Sequence, residues 1–540
     1  MSTEAPLRRS SRAPPSRVGK PPSKAAARAT SKAPPSKTVT TTKPKSTTTK
    51  KRAASAERSP SPPPKRTKKD KAVAENVDPA TVRQGKKKKT DATLVPQQKP
   101  YFNPLPAPPP KKRPGLQVFV WGAGNFGQFG MGPDVTDEVD KPKKHTWCEE
   151  QMEEDTFGED YAGIETIAAG GMHTVFVDEK GTVWTCGVND DAALGRVTEG
   201  ISDPDGELTS IPHPLESLIA EKFRTVNVTT GDSICVAVDV KGELRVWGSF
   251  RGNEGTLGFS ESARHQFTPI PITMDLIHKP GDYEKVSSVA SGGNHVIVLT
   301  THGNIYTWGS GQQAQLGRKV LERHQLRGTH PQKVVLARSL RTKVIGAGTY
   351  HSFAVDEHGT VWAWGLNSMG QLGTGLEEDG DECVATPRVV RRLSKEELGG
   401  ETVVQIRGGE HHTLFLTSGG KVFACGRANC CQLGLAKNDP AWEGDSTREF
   451  LSEPVEVTFP DDDDPVVQID VGLHNNMAVT KDGALYCWGQ GTQGELGVPD
   501  ETVTTPKMIV RREGGSWATE QVSCGGQHTM ALLRKRPKEE

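Results

Sequence analysis

The chain has 540 residues, which is long for one ordinary domain and predicts internal repeats or an unfolded segment. Its net charge of zero hides two unlike parts: residues 1–113 hold 29 Lys and Arg against 6 Asp and Glu, and the remaining residues hold 38 against 61. There is no apolar run of membrane-spanning length, no apolar signal-peptide stretch, and no zinc-site spacing among the nine cysteines. Composition therefore favours an intracellular protein, without membrane contact, in a reducing compartment.

Residues 1–113 are rich in Lys, Pro, Ser, Thr and Ala and have almost no bulky apolar side chains. Such a segment cannot bury enough apolar surface to offset the entropy of ordering, so we predict a disordered tail. Its positive charge is typical of segments that bind nucleic acid by releasing counterions. Phosphorylation of Ser59 or Ser61, each followed by Pro, would cancel part of that charge.

The basic residues of the tail occur in clusters. They include Lys51, Arg52, Lys65, Arg66, Lys68, Lys69, Lys86, Lys87, Lys88 and Lys89. The first two clusters are separated by twelve residues, which suits a bipartite signal read by nuclear import receptors. The alternative interpretation is a tail that only increases solubility.

A short phrase is repeated seven times after the tail, about 60 residues apart. It consists of an aromatic residue or Cys, then Gly, and later a second Gly preceded by Leu or Phe. The copies begin at Trp121, Cys186, Trp247, Trp308, Trp364, Cys425 and Trp488. Six copies separate the two glycines by eight residues, whereas the third, Gly248 to Gly258, separates them by ten.

Each repeat also contains a Gly-rich loop, an apolar strand, a tight turn such as Lys180-Gly181, and a strand that ends at the phrase. This order predicts a β-hairpin, and the repeat length leaves room for a four-stranded blade. Residues 116–121 and 529–533 are complementary parts of one such unit. We therefore predict an all-β fold over residues 114–537: a seven-bladed β-propeller in which the N- and C-terminal strands close one blade.

Two segments match the G-x-G-x-x-G pattern of dinucleotide sites, Gly122–Gly127 and Gly489–Gly494. That pattern requires a helix directly after it, and Gly130-Met-Gly-Pro133 is no helix start. Both matches also fall at the same position of the repeat, so we interpret their glycines as turn residues. No metal-ligand spacing, catalytic triad or carboxylate pair can be singled out, so no cofactor, metal or covalent catalysis is expected.

The Gly-rich loops of a propeller emerge on one face, where their polar residues would form a ring. The candidates at matched loop positions are His173, Asp232, Asn294, Tyr350, Glu410, His411, His474 and His528. The alternative for each His is that it only braces its own loop by hydrogen bonding. Asp232 replaces a Gly, and the sequence predicts one extra residue in the loop at Glu410, which would make His411 additional to a bracing His412.

The irregular third phrase predicts a protruding, flexible turn with an exposed aromatic side chain. Its residues are Ser249, Phe250, Arg251, Gly252, Asn253, Glu254 and Gly255. Exposed loops on rigid scaffolds commonly carry function, so we interpret this turn as a binding element. The alternative is a neutral loop insertion.

Four segments carry a family resemblance: Ala169-Gly-Gly-Met-His-Thr174, Gly187-Val-Asn-Asp-Asp-Ala-Ala-Leu-Gly-Arg196, Val246-Trp-Gly-Ser-Phe-Arg251 and Ser523-Cys-Gly-Gly-Gln-His-Thr529. Over residues 116–535 the chain resembles the regulator of chromosome condensation, the nuclear exchange factor for the small GTPase Ran. The resemblance implies that residues 249–256 form a wedge against the GTPase's phosphate and magnesium site. It further implies docking by Asn125, His173, Asp232, Asn294, Arg318, His411 and His528, with Asn125 and Asn294 standing where the family pattern has Asp.

The resemblance also implies that the opposite face and the basic tail hold chromatin. The segment Arg318–Lys333, with Arg323 and Arg327, would be an arm toward histones and is shorter than its animal counterparts. The expected protein is a monomeric, nuclear, chromatin-associated guanine nucleotide exchange factor for Ran, serving nucleocytoplasmic transport and mitosis. The alternative function is a noncatalytic propeller adaptor. The acidic insertions Glu149–Asp160, Glu377–Glu382 and Asp461–Asp464 would repel DNA from the docking face or would merely be solvated.

Overall fold

A computed structural model describes residues 97–135, 137–337, 340–375, 382–445 and 447–537. The chain divides into two units, Met1–Lys89 and Thr90–Glu540, and all described residues belong to the second. The predicted disorder of residues 1–96, the basic clusters up to Lys89, and Ser59 and Ser61 lie outside the described residues. Most of the acidic insertion Glu377–Glu382 also lies outside them.

The described residues form seven four-stranded antiparallel units, which we number as blades 1 to 7. Five are separate sheets, and two form one sheet through a single parallel bridge between Ala347 and Arg407. Blade 1 comprises Ile164–Ala169, His173–Asp178, Val183–Gly187 and His213–Pro214; blade 2 comprises Thr225–Thr230, Ile234–Asp239, Leu244–Gly248 and Gln266–Ile270. Blade 3 comprises Val286–Ser291, His295–Thr300, Ile305–Gly309 and Gln332–Val334; blade 4 comprises Thr342–Ala347, His351–Asp356, Val361–Leu366 and Cys383–Val389.

The last three blades complete the set. Blade 5 comprises Val403–Gly408, His412–Thr417, Val422–Arg427 and Phe450–Val457; blade 6 comprises Val466–Val471, Asn475–Thr480, Leu485–Gln490 and Thr502–Val510. Blade 7 comprises Trp517–Cys524, His528–Lys535, Gln117–Gly122 and Val139–Lys144. Gln117 lies opposite Leu533 and Gly122 opposite His528, which confirms the predicted closure by the two chain ends.

The first strands of successive blades contact one another in a closed circle around a central cavity of about 400 Å³. Side-chain amides join neighbouring first strands. Gln468, for example, donates to the carbonyl of Val522 and accepts from its N–H, at 3.1 Å each. Gln405 bonds the backbone of Ile469 in the same two ways. The predicted β-propeller is confirmed.

The repeated phrase joins each blade to the next. The indole N–H of Trp247 in blade 2 donates to the carbonyl of Ala193 in the phrase of blade 1, at 2.9 Å. A Cβ on Gly195 would lie 2.8 Å from Nε1 of that indole, so only glycine leaves room for it. Equivalent indole bonds run from Trp121 to Glu495, Trp364 to Gln315, and Trp488 to Gln432. The second Gly and, in the four blades with this indole bond, the Trp are therefore fixed by packing between neighbouring blades.

The propeller has two faces. The loop face carries the Gly-rich loops and the phrases, and the turn face carries the tight Gly turns and the connections between blades. The turn face includes the helices Thr146–Glu153 and Glu216–Ala220 and a hairpin of His278–Lys279 with Asp282–Tyr283. The loop face includes a hairpin of Phe250–Gly252 with Gly255–Gly258, helix Glu207–Ser210, and 3-10 helices Glu322–Thr329 and Pro440–Trp442. No helix in the described residues is long and apolar enough to cross a membrane.

Residues 97–113 lie on the turn face, although composition assigns them to the tail. Asn103 is buried, and its amide donates to the carbonyls of Thr300 and Thr342 at 3.0 and 2.9 Å. The guanidinium of Arg341 covers the ring of Phe102 at 3.9 Å. Arg113 pairs with Glu179 at 2.9 Å. The folded part of the chain therefore begins before the boundary expected at residue 113.

Candidate functional site

The seven Gly-rich loops share one length: the second strand begins at the third position after the first Gly. The bond from Gly409 N to His412 O matches that from Gly170 N to His173 O, so the loop at Glu410 contains no extra residue. The prediction of an insertion there was wrong, because one additional Gly at the end of the preceding strand shifted the alignment. Glu410 and Asp232 occupy the same first position, whereas Asn294 and His411 occupy the second.

The third loop position is buried, which corrects the placement of two candidates. His173 and His528 are about 1 % and 0 % exposed and point between blades. His173 Nε2 lies 3.1 Å from Sγ of Cys235, and His528 Nε2 lies 2.8 Å from Oγ1 of Thr174. Burial lowers the pKa of His173 to about 4 and that of His528 to about 3. These side chains brace neighbouring blades and are not part of an exposed polar ring.

The first and second loop positions do bring polar residues together on the loop face. Asn294 Nδ2 donates to Oδ2 of Asp232 at 2.6 Å across the boundary between blades 2 and 3. Burial raises the pKa of Asp232, while the Asn294 hydrogen bond and the charge of Arg251 lower it. The surface therefore holds a carboxylate with little competing hydration, poised for a cationic or hydrogen-bond-donating partner.

A second acidic group lies farther around the same face. Oε2 of Glu410 is 3.4 Å from Nδ1 of His411 and 3.7 Å from Nε2 of His474. The hydrogen bond from His411 lowers the pKa of Glu410, so its carboxylate stays ionised. The ring of Tyr350 packs against that of His411 with centroids 6.4 Å apart. Glu410, Tyr350 and His474 lie at the matched loop positions of the predicted polar ring, and the structure brings them close to one another on the loop face.

The irregular phrase forms the hairpin Phe250–Gly258, which extends from blade 2 on the loop face. Its tip residues Arg251, Asn253, Glu254 and Gly255 are exposed, which agrees with the predicted protrusion. The prediction of an exposed aromatic was wrong: Phe250 is fully buried in a cluster with Trp308, and Ser249 is also buried. Leu257, the Leu of the phrase, is only partly buried, so Phe250 provides apolar core contacts in this blade.

Neighbouring blades hold the hairpin on both sides. Asp191 of blade 1 accepts hydrogen bonds from Nε of Arg251 at 2.6 Å and Oγ1 of Thr256 at 3.1 Å. On the other side, Oδ1 of Asn294 accepts from the backbone N–H of Arg251 at 2.6 Å. Gln312 accepts from the N–H of Asn253 at 2.7 Å. Asp191 and Gln312 were missed because each lies about 60 residues from its partner.

The hairpin removes one of the blade-to-blade hydrogen bonds. In the described residues the buried indole N–H of Trp308 has no partner, because Thr256, at the matching carbonyl position, belongs to the hairpin. A buried unpaired donor costs about 1–3 kcal/mol. The hairpin is therefore retained at some expense to the fold, which is typical of a functional element.

The other predicted residues lie at several places. Asn125 is exposed on a phrase loop of blade 7. Arg318 is half-buried, and its guanidinium donates to the carbonyls of Gly328 and His330 within its own segment. Arg323 and Arg327 line a groove of about 590 Å³ between the 3-10 helix Glu322–Thr329 and the hairpin. The segment predicted as a histone arm thus lies on the loop face, and not on the opposite one.

The acidic insertions Glu149–Asp160 and Asp461–Asp464 lie on the turn face. Arg512 pairs there with Asp463 at 2.7 Å and Asp482 at 3.1 Å. The residues that the structure describes contain no group of three or more His, Cys, Asp or Glu able to hold a metal ion. The loop-face arrangement is therefore suited to binding a macromolecular surface through a projecting hairpin and two flanking carboxylates.

Comparison with known proteins agrees with this architecture. Residues 117–531 match the family model of the RCC1-like domain. The regulator of chromosome condensation of Xenopus laevis is 33% identical over 435 residues, covering 78% of this chain and 91% of the relative. The guanine nucleotide exchange factor SRM1 of Saccharomyces cerevisiae is 30% identical over 445 residues, covering 77% and 87%.

Two solved structures have the same fold. A crystal structure of Prp20p from Saccharomyces cerevisiae, studied with its binding to Gsp1p and histones, superposes with a TM-score of 0.68 at 30% identity, covering 79% of this chain and 93% of that one. The yeast protein bound to Kap60 superposes with a TM-score of 0.67 at 29% identity, covering 86% and 97%. Because the family model spans most of the chain, this protein belongs to the regulator of chromosome condensation family.

Proposed function

We propose that this protein is a guanine nucleotide exchange factor for the small GTPase Ran. The observation that carries the proposal is the hairpin Phe250–Gly258, which stands at the one irregular phrase, beside Asp232 and Asn294, in a chain similar to a named exchange factor. The proposed contact surface comprises the tip Arg251 to Gly255, the loop residues Asp232, Asn294, Glu410 and His411, and the exposed Asn125. His173 and His528 are left out because they are buried.

The mechanism is differential binding. A partner that binds the nucleotide-free GTPase more tightly than the nucleotide-bound form must weaken nucleotide binding by the same coupling free energy. Insertion of the hairpin tip at the phosphate and magnesium site would supply that difference, because the tip competes with the contacts that hold GDP. Asp232 and Glu410 would attract basic GTPase residues and orient the encounter. No covalent bond to the GTPase is formed or broken in this mechanism, and no cofactor takes part.

Partners of the tail belong to the same proposal. The clusters Lys51–Arg52, Lys65–Lys69 and Lys86–Lys89 would bind DNA and import receptors, concentrating a monomeric exchange factor on chromatin in the nucleus. Similarity to a yeast protein studied with histones and with Kap60 supports this. A tail that binds DNA by counterion release would lose affinity steeply as salt rises. Arg323 and Arg327, placed beside the hairpin, are proposed here as part of the loop-face surface.

The test is release of labelled GDP from Ran with the full chain. We expect acceleration over the intrinsic rate, and we expect Asp232→Asn to raise the half-saturating GTPase concentration roughly tenfold, because hydrogen bonds to a charged group contribute on the order of 1.5–3 kcal/mol. Asp462→Asn is the matched control, since it removes the same charge from an exposed site on the turn face. No acceleration at micromolar protein would refute the exchange function, and an equal effect of the control would refute the role of Asp232.

A second candidate is a noncatalytic adaptor for chromatin, which the similarity to a protein studied with histones favours. Nucleosome binding by the full chain with unchanged GDP release would support the adaptor over the exchange factor. Binding together with accelerated release would support the exchange factor with a chromatin anchor.

A further inference from the structure

We propose that Asp191 of blade 1 and Asn294 of blade 3 are positioning residues that lock the hairpin Phe250–Gly258 of blade 2 in its projecting orientation. The inference deepens the proposed exchange function, because it names the residues that keep the hairpin rigid enough to displace nucleotide. Neither residue needs to touch the GTPase for this role.

The hairpin cannot hold its own orientation. It has only three registered pairs and an irregularity between Phe250 and Arg251, and an isolated two-stranded ribbon of this size is marginal in water. Its base is anchored by the buried Phe250, but the tip beyond Arg251 is exposed. Contacts from neighbouring blades must therefore define where the tip points.

Asp191 binds both strands of the hairpin at one rung. Arg251 and Thr256 lie directly opposite each other, and one oxygen of the Asp191 carboxylate accepts from Arg251 Nε while the other accepts from Thr256 Oγ1. His265 Nε2 lies 3.5 Å from the second oxygen. The Asp191 side chain is only about 5 % exposed, whereas that of Arg251 is about 44 % exposed, so the carboxylate has little competing hydration and its two bonds are charge-assisted.

Asn294 links the opposite side of that rung to Asp232. Its Oδ1 accepts from the backbone N–H of Arg251, and its Nδ2 donates to Oδ2 of Asp232, both at 2.6 Å. The amide supplies one acceptor and one donor at the same time, which an ionised carboxylate cannot do. A carboxylate at position 294 would place two anions within hydrogen-bond distance and leave Asp232 without its donor. The hairpin and the acidic loop are thus joined through one amide.

Two readouts test the locking role: hydrogen exchange of the amides of residues 250–258, and the maximal rate and half-saturating GTPase concentration of GDP release. For Asp191→Asn we expect faster amide exchange in this segment and a roughly tenfold lower maximal rate, the scale of a lost charge-assisted bond. The half-saturating concentration should change less than about threefold, because the docking residues are untouched. Asp190→Asn is the matched control, because the neighbouring side chain is exposed and forms no hydrogen bond or ion pair with the described hairpin residues.

Asn294→Asp should likewise speed amide exchange in residues 250–258. The double variant Asp232→Asn with Asn294→Asp restores one amide and one carboxylate and should recover the protection. Thr256→Val, which removes only one of the two bonds to Asp191, should have a smaller effect and serves if Asp191→Asn does not fold.

The inference is overturned if Asp191→Asn and Asn294→Asp leave both the amide protection and the maximal rate equal to those of Asp190→Asn. It is also overturned if Asp191→Asn changes only the half-saturating concentration, since that would mark a docking contact. If amide protection falls in the variants as expected but the wild-type protein does not accelerate GDP release from Ran, the positioning role stands and the exchange function is refuted.

Discussion

Blades 1 and 2 end their third strands in the same way but continue differently. In blade 1, Gly187 to Gly195 form a compact turn in which Asn189 bonds the backbone of Leu194 and Arg196, and the carbonyl of Ala193 accepts the indole N–H of the next blade. In blade 2, two additional residues produce a hairpin, and the indole N–H of Trp308 is left without a partner among the described residues. The compact turn stabilises the ring, whereas the hairpin costs stability and projects from the loop face.

The largest effect is expected when the hairpin of blade 2 is replaced by a compact turn like that of blade 1. Replacing residues 249–257 with the seven residues 310–316 of blade 3 should reduce GDP release from Ran at least about a hundredfold, because misplaced catalytic contacts cost that much. The same exchange should raise the free energy of unfolding by about 1–2 kcal/mol, because Trp308 regains an acceptor. Nucleotide release and denaturant unfolding measure the two effects. A chimera that loses activity together with stability would contradict the comparison.

A pair of tryptophans isolates the hydrogen-bond difference. Trp247→Phe removes a satisfied indole N–H and leaves the carbonyl of Ala193 with only the weak thiol donor of Cys235 at 3.4 Å, whereas Trp308→Phe removes an N–H that has no partner among the described residues. Both lose similar volume from fully buried sites. We expect Trp247→Phe to cost about 1–2 kcal/mol more than Trp308→Phe in equilibrium unfolding. Equal costs would show that Trp308 has an acceptor in solution.

The same blades differ in acid sensitivity, because the second strand starts at His173 in blade 1 and at Ile234 in blade 2. Burial lowers the pKa of His173 from 6.5 to about 4, so the unfolded chain takes up a proton that the folded chain does not. The contribution of neutral His173 to the free energy of unfolding is therefore complete above pH 6.5 and is lost as the pH falls toward 4. Each such histidine contributes up to about 1.4 kcal/mol per pH unit in that window.

The smallest effect expected is therefore a change of slope. The slope of the unfolding free energy against pH reports the number of protons taken up on unfolding. Between pH 6.5 and 4.5, His173→Asn should reduce that number by at most about one. Blade 6 already has Asn475 at this position, so the fold accommodates the side chain. The exposed His358→Asn is the control. An equal change of slope in both variants would contradict the assignment of His173 as a buried neutral group.

Much of the fold could be predicted because the repeat is local and regular. The phrases recur once per blade, as their spacing indicated, and Gln117–Gly122 completes blade 7, as the complementary chain ends indicated. The position of the hairpin was also predictable, since it stands at the one phrase whose glycines are ten residues apart. The identity of its exposed residues was not, because a shift of one loop position separates the partly exposed His411 from the buried His412.

The sequence by itself determined the number of repeats, the closure of the ring and the blade that carries the hairpin, because these depend on spacing along the chain. Only the tertiary structure decided that Phe250 is buried, that His173 and His528 brace the blades, and that residues 97–113 lie on the turn face. It also decided which residues hold the hairpin. Asp191 and Asn294 reach Arg251 from blades on either side, and contacts between side chains about 60 and 43 residues apart arise from the geometry of the ring.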